Sequence, residues 1–156
     1  MRRLLGALSC VAAAGVLLVP AASAGGPTVA SGGGNGTFDG TTAGSHFGFG
    51  VHYGTGASGQ FQCNMAGNSA FDGLREMGLE GTVSNGTVNV ATGTATFSGS
   101  AILHVNGKTS TIGFEVEIHA GGPLVGWLHL TVFNSPFGPA FTFPIEHVLT
   151  GQISIH

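Results

Sequence analysis

Residues 111–133 constrain the fold more strongly than any other part of the chain. They form two runs of alternating apolar and polar residues, separated by the turn-forming sequence Ala120-Gly-Gly-Pro123. In a strand, successive side chains point to opposite faces, so this alternation predicts a β-hairpin. One face of each run is uniformly apolar and is predicted to form core: Ile112, Phe114, Val116 and Ile118 in the first run, and Leu128, Leu130 and Val132 in the second.

Similar alternating runs recur along the chain and are separated by glycine-rich turns. One run places four apolar side chains, Phe47, Phe49, Val51 and Tyr53, opposite His46, Gly48, Gly50 and His52. The two glycines in that run indicate a bend, a bulge or the close approach of another backbone. Asn85-Gly86 and Asn106-Gly107 are both typical of two-residue hairpin turns. The last run predicts a strand whose core face carries Leu149, Gly151, Ile153 and Ile155.

Together these runs predict an all-β fold, an antiparallel sandwich or barrel of roughly nine to ten short strands. No connection is long enough for a parallel crossover. The eleven phenylalanines require a core, so the abundant glycine does not indicate disorder.

The first residues are typical of a secretory signal peptide. Arg2 and Arg3 precede an apolar run, and Ala22-Ser-Ala24 has the small residues of a cleavage site. We therefore expect a signal peptide at residues 1–24 and a secreted, extracellular protein with no membrane span after cleavage. Residues 25–36 are rich in glycine and serine and predict a flexible lead. Residues 37–156 then form a single β-domain.

Charge and cysteine content narrow the possible partners. After cleavage, Arg75 and Lys108 remain against seven acidic residues, which argues against a nucleic-acid partner or an anionic membrane. Cys63 is the single remaining cysteine, so no internal disulfide can form. It alternates in phase with Phe61 and Met65, which predicts a buried free thiol.

Several of these segments, in this order, resemble the post-COAP family of secreted bacterial β-domains. They are His46-Phe-Gly-Phe-Gly-Val-His-Tyr53, the run from Gly86 to Gly99 and the closing Leu149-Thr-Gly-Gln-Ile-Ser-Ile-His156. The resemblance implies secretion and a β-fold, and it implies little chemistry. The chain departs from that family between His119 and Trp127, where an Asp-containing turn is replaced by a sequence without aspartate.

The polar face of the 111–133 hairpin carries the candidate metal ligands Glu115, Glu117, His119 and His129. If Glu117 lies opposite Trp127, all four side chains share one face. Imidazoles and carboxylates in such a cluster can bind Zn or Cu. The simpler alternative is a solvated sheet face on which histidine replaces the missing lysines and arginines.

Trp127 is the candidate binding residue. It lies at a polar position and is predicted either to contact a ligand or to be covered by residues 136–139. No Gly-x-Ser-x-Gly elbow is present, and no catalytic residue is assigned. We therefore expect a non-catalytic binding or structural module with a cell-wall, glycan or protein partner. The alternatives are a small secreted hydrolase and a His/Glu metal-binding domain.

Overall fold

A computed structural model describes the chain over residues 28–66 and 76–156. These residues form strands and no helix, which confirms the predicted all-β fold. The predicted signal peptide, residues 1–24, lies outside the described ranges. The strands are β1 (Thr28–Thr37), β2 (Ser45–Tyr53), β3 (Ala57–Ala66), β4 (Glu76–Asn89), β5 (Thr94–Val105), β6 (Lys108–His119), β7 (Trp127–Ser135), β8 (Gly138–Thr142) and β9 (Glu146–Ile155). Within the described ranges, nothing helical is long and apolar enough to cross a bilayer.

The nine strands form one antiparallel sheet that closes into a ring. Their order is β6-β5-β4-β3-β2-β1-β9-β7-β8, and β6 also pairs with β7. The contact between β7 and β9 is short: Trp127 pairs with His147, and Leu128 pairs with Glu146. Beyond it, residues 121–126 continue along β9, where the Val148 amide donates to the Gly126 carbonyl over 2.8 Å. The ring therefore closes at β7, which pairs with β6 on one side and with β9 on the other.

The inside of the ring is filled by the apolar faces that the sequence predicts. Every predicted core residue of the 111–133 hairpin is buried, as are Phe47, Phe49, Val51 and Tyr53 of β2. Cys63 is also buried and free, as predicted. Four rings pack together in the middle, with Phe61 lying 5.7 Å from Phe97 and 5.6 Å from Phe114 between ring centroids. We call these rings the aromatic centre: Phe49, Phe61, Phe97 and Phe114.

The predicted flexible lead is wrong for residues 28–36, which belong to β1. This strand pairs with β2 on one side and with β9 on the other, so its backbone groups are used on both edges. Its glycines permit close packing, because a Cβ at Gly32 would lie 2.6 Å from the Phe49 ring. The β-domain therefore includes residue 28 and does not begin at residue 37.

The two Asn-Gly sequences have different outcomes. Asn106 and Gly107 have φ values of 47° and 77°, the left-handed pair that a two-residue hairpin turn requires, so that turn is confirmed. Asn85-Gly86 lies inside β4 and is not a turn. The register between β4 and β5 shifts between Val83 and Asn85, so this Asn-Gly sequence lies next to a β-bulge in a continuous strand.

A second bulge changes the inward face of β9. The register with β1 passes from Thr150 to Val148 and leaves Leu149 as the extra residue. Ile153 is buried as predicted and Ile155 is half-buried, but Leu149 is only half-buried and Gly151 is exposed. The predicted core face is therefore wrong at positions 149 and 151. Before the bulge, Glu146 and Val148 point inward instead. This inversion places a carboxyl group inside the ring.

Candidate functional site

The predicted polar residues do lie on the outer face of the ring, but in a different register. His119 is opposite Trp127, and Glu117 is opposite His129, so the prediction that Glu117 faces Trp127 is wrong by two residues. The physical reason is the β6–β7 connection. Residues 121–126 form their own turn, in which the Gly126 amide donates to the Gly122 carbonyl, and they pair with β9 instead of extending β7.

This face brings two predicted ligands together, not four. Glu117 and His129 are direct cross-strand neighbours, whereas Glu115 lies opposite Thr131. Within residues 28–66 and 76–156, no group of three or more His, Cys, Asp or Glu side chains is placed to hold a metal ion. The His119 ring instead stacks on Trp127, with centroids 5.9 Å apart and planes inclined by 13°.

Trp127 is half-buried in this arrangement. Its cross-strand neighbours are His119 on β6 and His147 on β9. Pairing between β7 and β9 brings His147 to this position, and alternation along a single hairpin could not predict that neighbour. Trp127 is therefore packed between strands, with only part of its ring available to a ligand.

A concave surface lies on the outer face of β2 to β5, and we call it the trough. It has a volume of about 650 Å³. The side-chain-free positions Gly48 and Gly50 form its floor. The outward side chains that line it are Gln60, Gln62, Glu80, Thr82 and Ile102.

The packing of the fold does not require the glycine at position 50. Among the described residues, a Cβ there would have no atom within 4 Å, and one at Gly48 would meet only the flexible side chain of Gln62. Gly81 is different, because a Cβ there would lie 2.6 Å from the Phe114 ring. Glycine within a strand is destabilising by about 0.5–1 kcal/mol relative to alanine. A strand glycine that packing does not explain often marks a bulge, a bend, or the close approach of a ligand or another backbone. A bulge does not account for Gly50, because β2 pairs with β1 and with β3 in unbroken register.

The chemistry of the trough is polar and almost uncharged. Two amides and a hydroxyl provide both donors and acceptors, and Glu80 is the one ionisable side chain among the residues that line it. Among the described residues that line the trough none is basic, so they offer no cation to an anionic ligand. It is suited to a neutral ligand that is rich in hydroxyl or amide groups.

No family model, curated protein or solved structure matches the chain. The resemblance to the post-COAP family therefore stays a prediction.

A second polar group lies inside the ring, and we call it the polar corner: Ser45, Cys63 and Glu146. Glu146 is only 2% exposed and packs against the backbone of β1 and of the β1–β2 connection, where a Cβ at Gly36 would collide with its carboxyl group. Burial raises the pKa of Glu146 to about 7, and the nearby Ser45 hydroxyl only partly offsets this. Within the described ranges, neither Glu146 Oε1 nor Ser45 Oγ has a hydrogen-bond partner of good geometry.

The Cys63 thiol is also affected by its surroundings. Burial raises its pKa to about 12, the Glu146 carboxyl adds to the rise, and the Ser45 hydroxyl opposes it. The thiol is therefore neutral and has no exposed surface. A hydroxyl, a thiol and a carboxyl come together here, but inside the ring, where a substrate has no access to them.

Alternation along a single strand cannot show which residues of different strands come together in either of these sites. It does place Gly48 and Gly50 opposite a row of aromatic residues, so the sequence predicts this one part of the trough. The register of β2 with β3 and of β3 with β4 then decides that Gln62 and Glu80 lie next to those glycines. Alternation along β9 does not predict that Glu146 points inward, because the bulge at Leu149 inverts the face of the strand.

Proposed function

We propose that this protein is a secreted, non-catalytic binding module whose trough takes an uncharged, polyhydroxylated ligand, such as a glycan of a cell surface or wall. The observation that carries this proposal is Gly50. The packing of the fold does not require a glycine at this position, and the missing side chain leaves the floor of the trough open. The amide and hydroxyl side chains around that floor can bind hydroxyl groups.

The charges support this choice of ligand. The described residues that line the trough include one carboxylate and no basic side chain, and the acidic residues of the chain outnumber its basic ones. An anionic polymer such as nucleic acid would therefore be repelled. A neutral glycan carries no such penalty.

The positions of the ionisable groups favour binding over catalysis. Ser45, Cys63 and Glu146 are enclosed, while Glu115 and Glu117 are exposed neighbours on one strand. A glycosidase needs two carboxyl groups that flank the bond to be cleaved. Two exposed carboxylates on one strand of a sheet face have no opposing wall of that kind.

Secretion is the cellular part of the proposal, and it rests on Arg2, Arg3 and Ala22-Ser-Ala24. Mass spectrometry of the exported protein should give a chain that begins at Gly25. A full-length form retained in the membrane would contradict it.

Gly50→Thr tests the binding site. A threonine side chain at this open position should fill the trough floor and weaken binding at least tenfold. Folding stability should stay the same or rise by up to about 1 kcal/mol, because threonine favours strands more than glycine does. The measurements are calorimetric titration with cello- and chito-oligosaccharides and denaturant unfolding of the same samples.

Gly122→Thr is the matched control. Gly122 also has no atom within 4 Å of an added Cβ, but it lies in the β6–β7 connection, away from the trough. It should leave binding unchanged. Equal affinities of the Gly50→Thr variant and the natural sequence, or no binding of either oligosaccharide series, would contradict the proposed function.

A further inference from the structure

A second groove lies beside the trough, on the outer face of β4 to β7. It has a volume of about 400 Å³. Its outward lining is polar except for one aromatic ring, and it consists of Ser84, Asn85, Ser98, Ser100, Gly113, Glu115 and Phe133. Like the trough, this groove contains carboxylate, amide and hydroxyl groups and no basic side chain among the residues that line it.

The two grooves meet on a single cross-strand row. Thr82 lines the trough and pairs with Ser100 of the second groove. Ser100 then pairs with Gly113, and Gly113 pairs with Phe133. In the other direction, Thr82 pairs with Gln60. Adjacent strands lie about 4.8 Å apart, so the four steps from Gln60 to Phe133 span roughly 19 Å along the sheet.

The far end of this row provides an aromatic surface. Phe133 faces outward and is half-buried. Its cross-strand neighbours are Gly113 on β6 and Ala140 on β8, and a Cβ added at Gly113 would lie 3.7 Å from Cδ2 of the phenylalanine ring. Because glycine has no side chain, one flank of the ring is left uncovered. An aromatic ring in this position can pack against the apolar face of a sugar.

We propose that the trough and the second groove form one continuous site for an extended, uncharged glycan chain, with Phe133 stacking on a sugar unit at the end opposite Gly50. This proposal rests on the proposed function and adds that the ligand is a chain longer than the trough. The row runs across the strands, so the glycan lies perpendicular to them.

The charges of the row agree with this ligand class. Glu80 lies in the trough and Glu115 in the second groove, and the intervening Thr82 and Ser100 are neutral. A polyanionic glycan would meet a carboxylate in each groove, and none of the described residues that line the two grooves is a cation that could offset it. A neutral chain can accept hydrogen bonds from the hydroxyls and donate to the carboxylates.

Chain-length dependence tests the inference directly. Calorimetric titration uses cello- and chito-oligosaccharides of one to six units with the mature protein. Affinity should rise with length until both grooves are filled. Phe133→Ala should reduce affinity for the longest oligomers at least tenfold and leave the shortest unchanged, whereas Phe133→Tyr, which keeps the ring, should bind as the natural sequence does.

Trp127→Ala is the aromatic control, because Trp127 lies on the same strand as Phe133 but lines neither groove. It should have no effect at any length, with thermal unfolding confirming that each variant is folded. Length-independent affinity, or a loss confined to Trp127→Ala, would overturn the continuous site. If Gly50→Thr weakens binding while Phe133→Ala changes nothing, the trough still binds its ligand and only the inference fails. Absence of binding for every oligomer overturns both.

Discussion

Inside the ring, the aromatic centre and the polar corner are equally well shielded from water, but they differ in what holds them there. Phe114 is 1% exposed and lies among other rings, so removal from water is itself favourable. Glu146 is similarly enclosed, but its carboxylate form loses hydration, and within the described ranges no basic side chain offsets that loss. Burial therefore stabilises the aromatic centre, whereas in the polar corner it destabilises the ionised form of Glu146.

The two regions should consequently respond differently to pH. Packing of phenylalanine rings involves no proton, so its contribution is the same across the physiological range. Glu146 has a pKa raised from 4.5 to about 7 in the folded state. Stability from the protonated carboxyl is fully present below about pH 4.5 and is lost as the pH rises through 7.

The largest effect is expected at the aromatic centre. Phe114→Ala should destabilise the protein by about 3–5 kcal/mol, because it removes a buried ring that contacts Phe61 and Phe97 and leaves a cavity. Denaturant unfolding at pH 5 and pH 8 should give the same loss. Phe133→Ala, on the outer face of the same hairpin, is the control and should cost much less. A small loss for Phe114→Ala would contradict the assignment of the inner face.

The next effect belongs to the polar corner. Glu146→Gln removes the ionisable proton and keeps the shape, so it should flatten the pH dependence of stability between about pH 4.5 and 7. Each pKa unit corresponds to about 1.4 kcal/mol. The difference in free energy of unfolding between the variant and the natural sequence should therefore favour the variant by roughly 3 kcal/mol more at pH 8 than at pH 4.5. Unfolding curves across this range measure it.

Glu115→Gln is the matched control for that titration. It makes the same chemical change on the exposed outer face and should leave the pH dependence as it is. If Glu146→Gln and the natural sequence lose stability in parallel as the pH rises, the carboxyl is not held neutral by burial. The contrast between the two interior regions would then disappear.

Alternation along the chain predicted the faces of the ring well, for a physical reason. Side chains of a regular strand alternate strictly, so the uniformly apolar set of β6 had to point inward, and Phe114 and Val116 do. The Asn106-Gly107 turn was predictable for a similarly local reason, since its two residues tolerate the left-handed backbone.

The remaining features depend on pairing between distant segments. The bulge at Leu149 exists because β1 and β9 pair with a shifted register, and alternation within β9 carries no sign of it. Likewise, residues 28–36 lack a hydrophobic pattern and become a strand because β2 and β9 bind both edges. The trough could not be predicted for the same reason, since it combines residues from four strands whose pairing does not follow from local alternation.

The pairing of β1 with β9 also determines how the chain must fold. The Asn35 side-chain amide donates to Thr150 Oγ1 over 3.0 Å, although the two residues are 115 positions apart in the sequence. Bringing them together closes a loop that contains almost the whole domain. The chain loses the conformational entropy of that loop before the contact between β1 and β9 can stabilise the fold. We therefore expect slow folding for a chain of this size. During synthesis, β1 has only one of its two partners until β9 has been made. Its other edge stays open to pairing with neighbouring chains for that time, so the period of greatest aggregation risk ends only with the last strand.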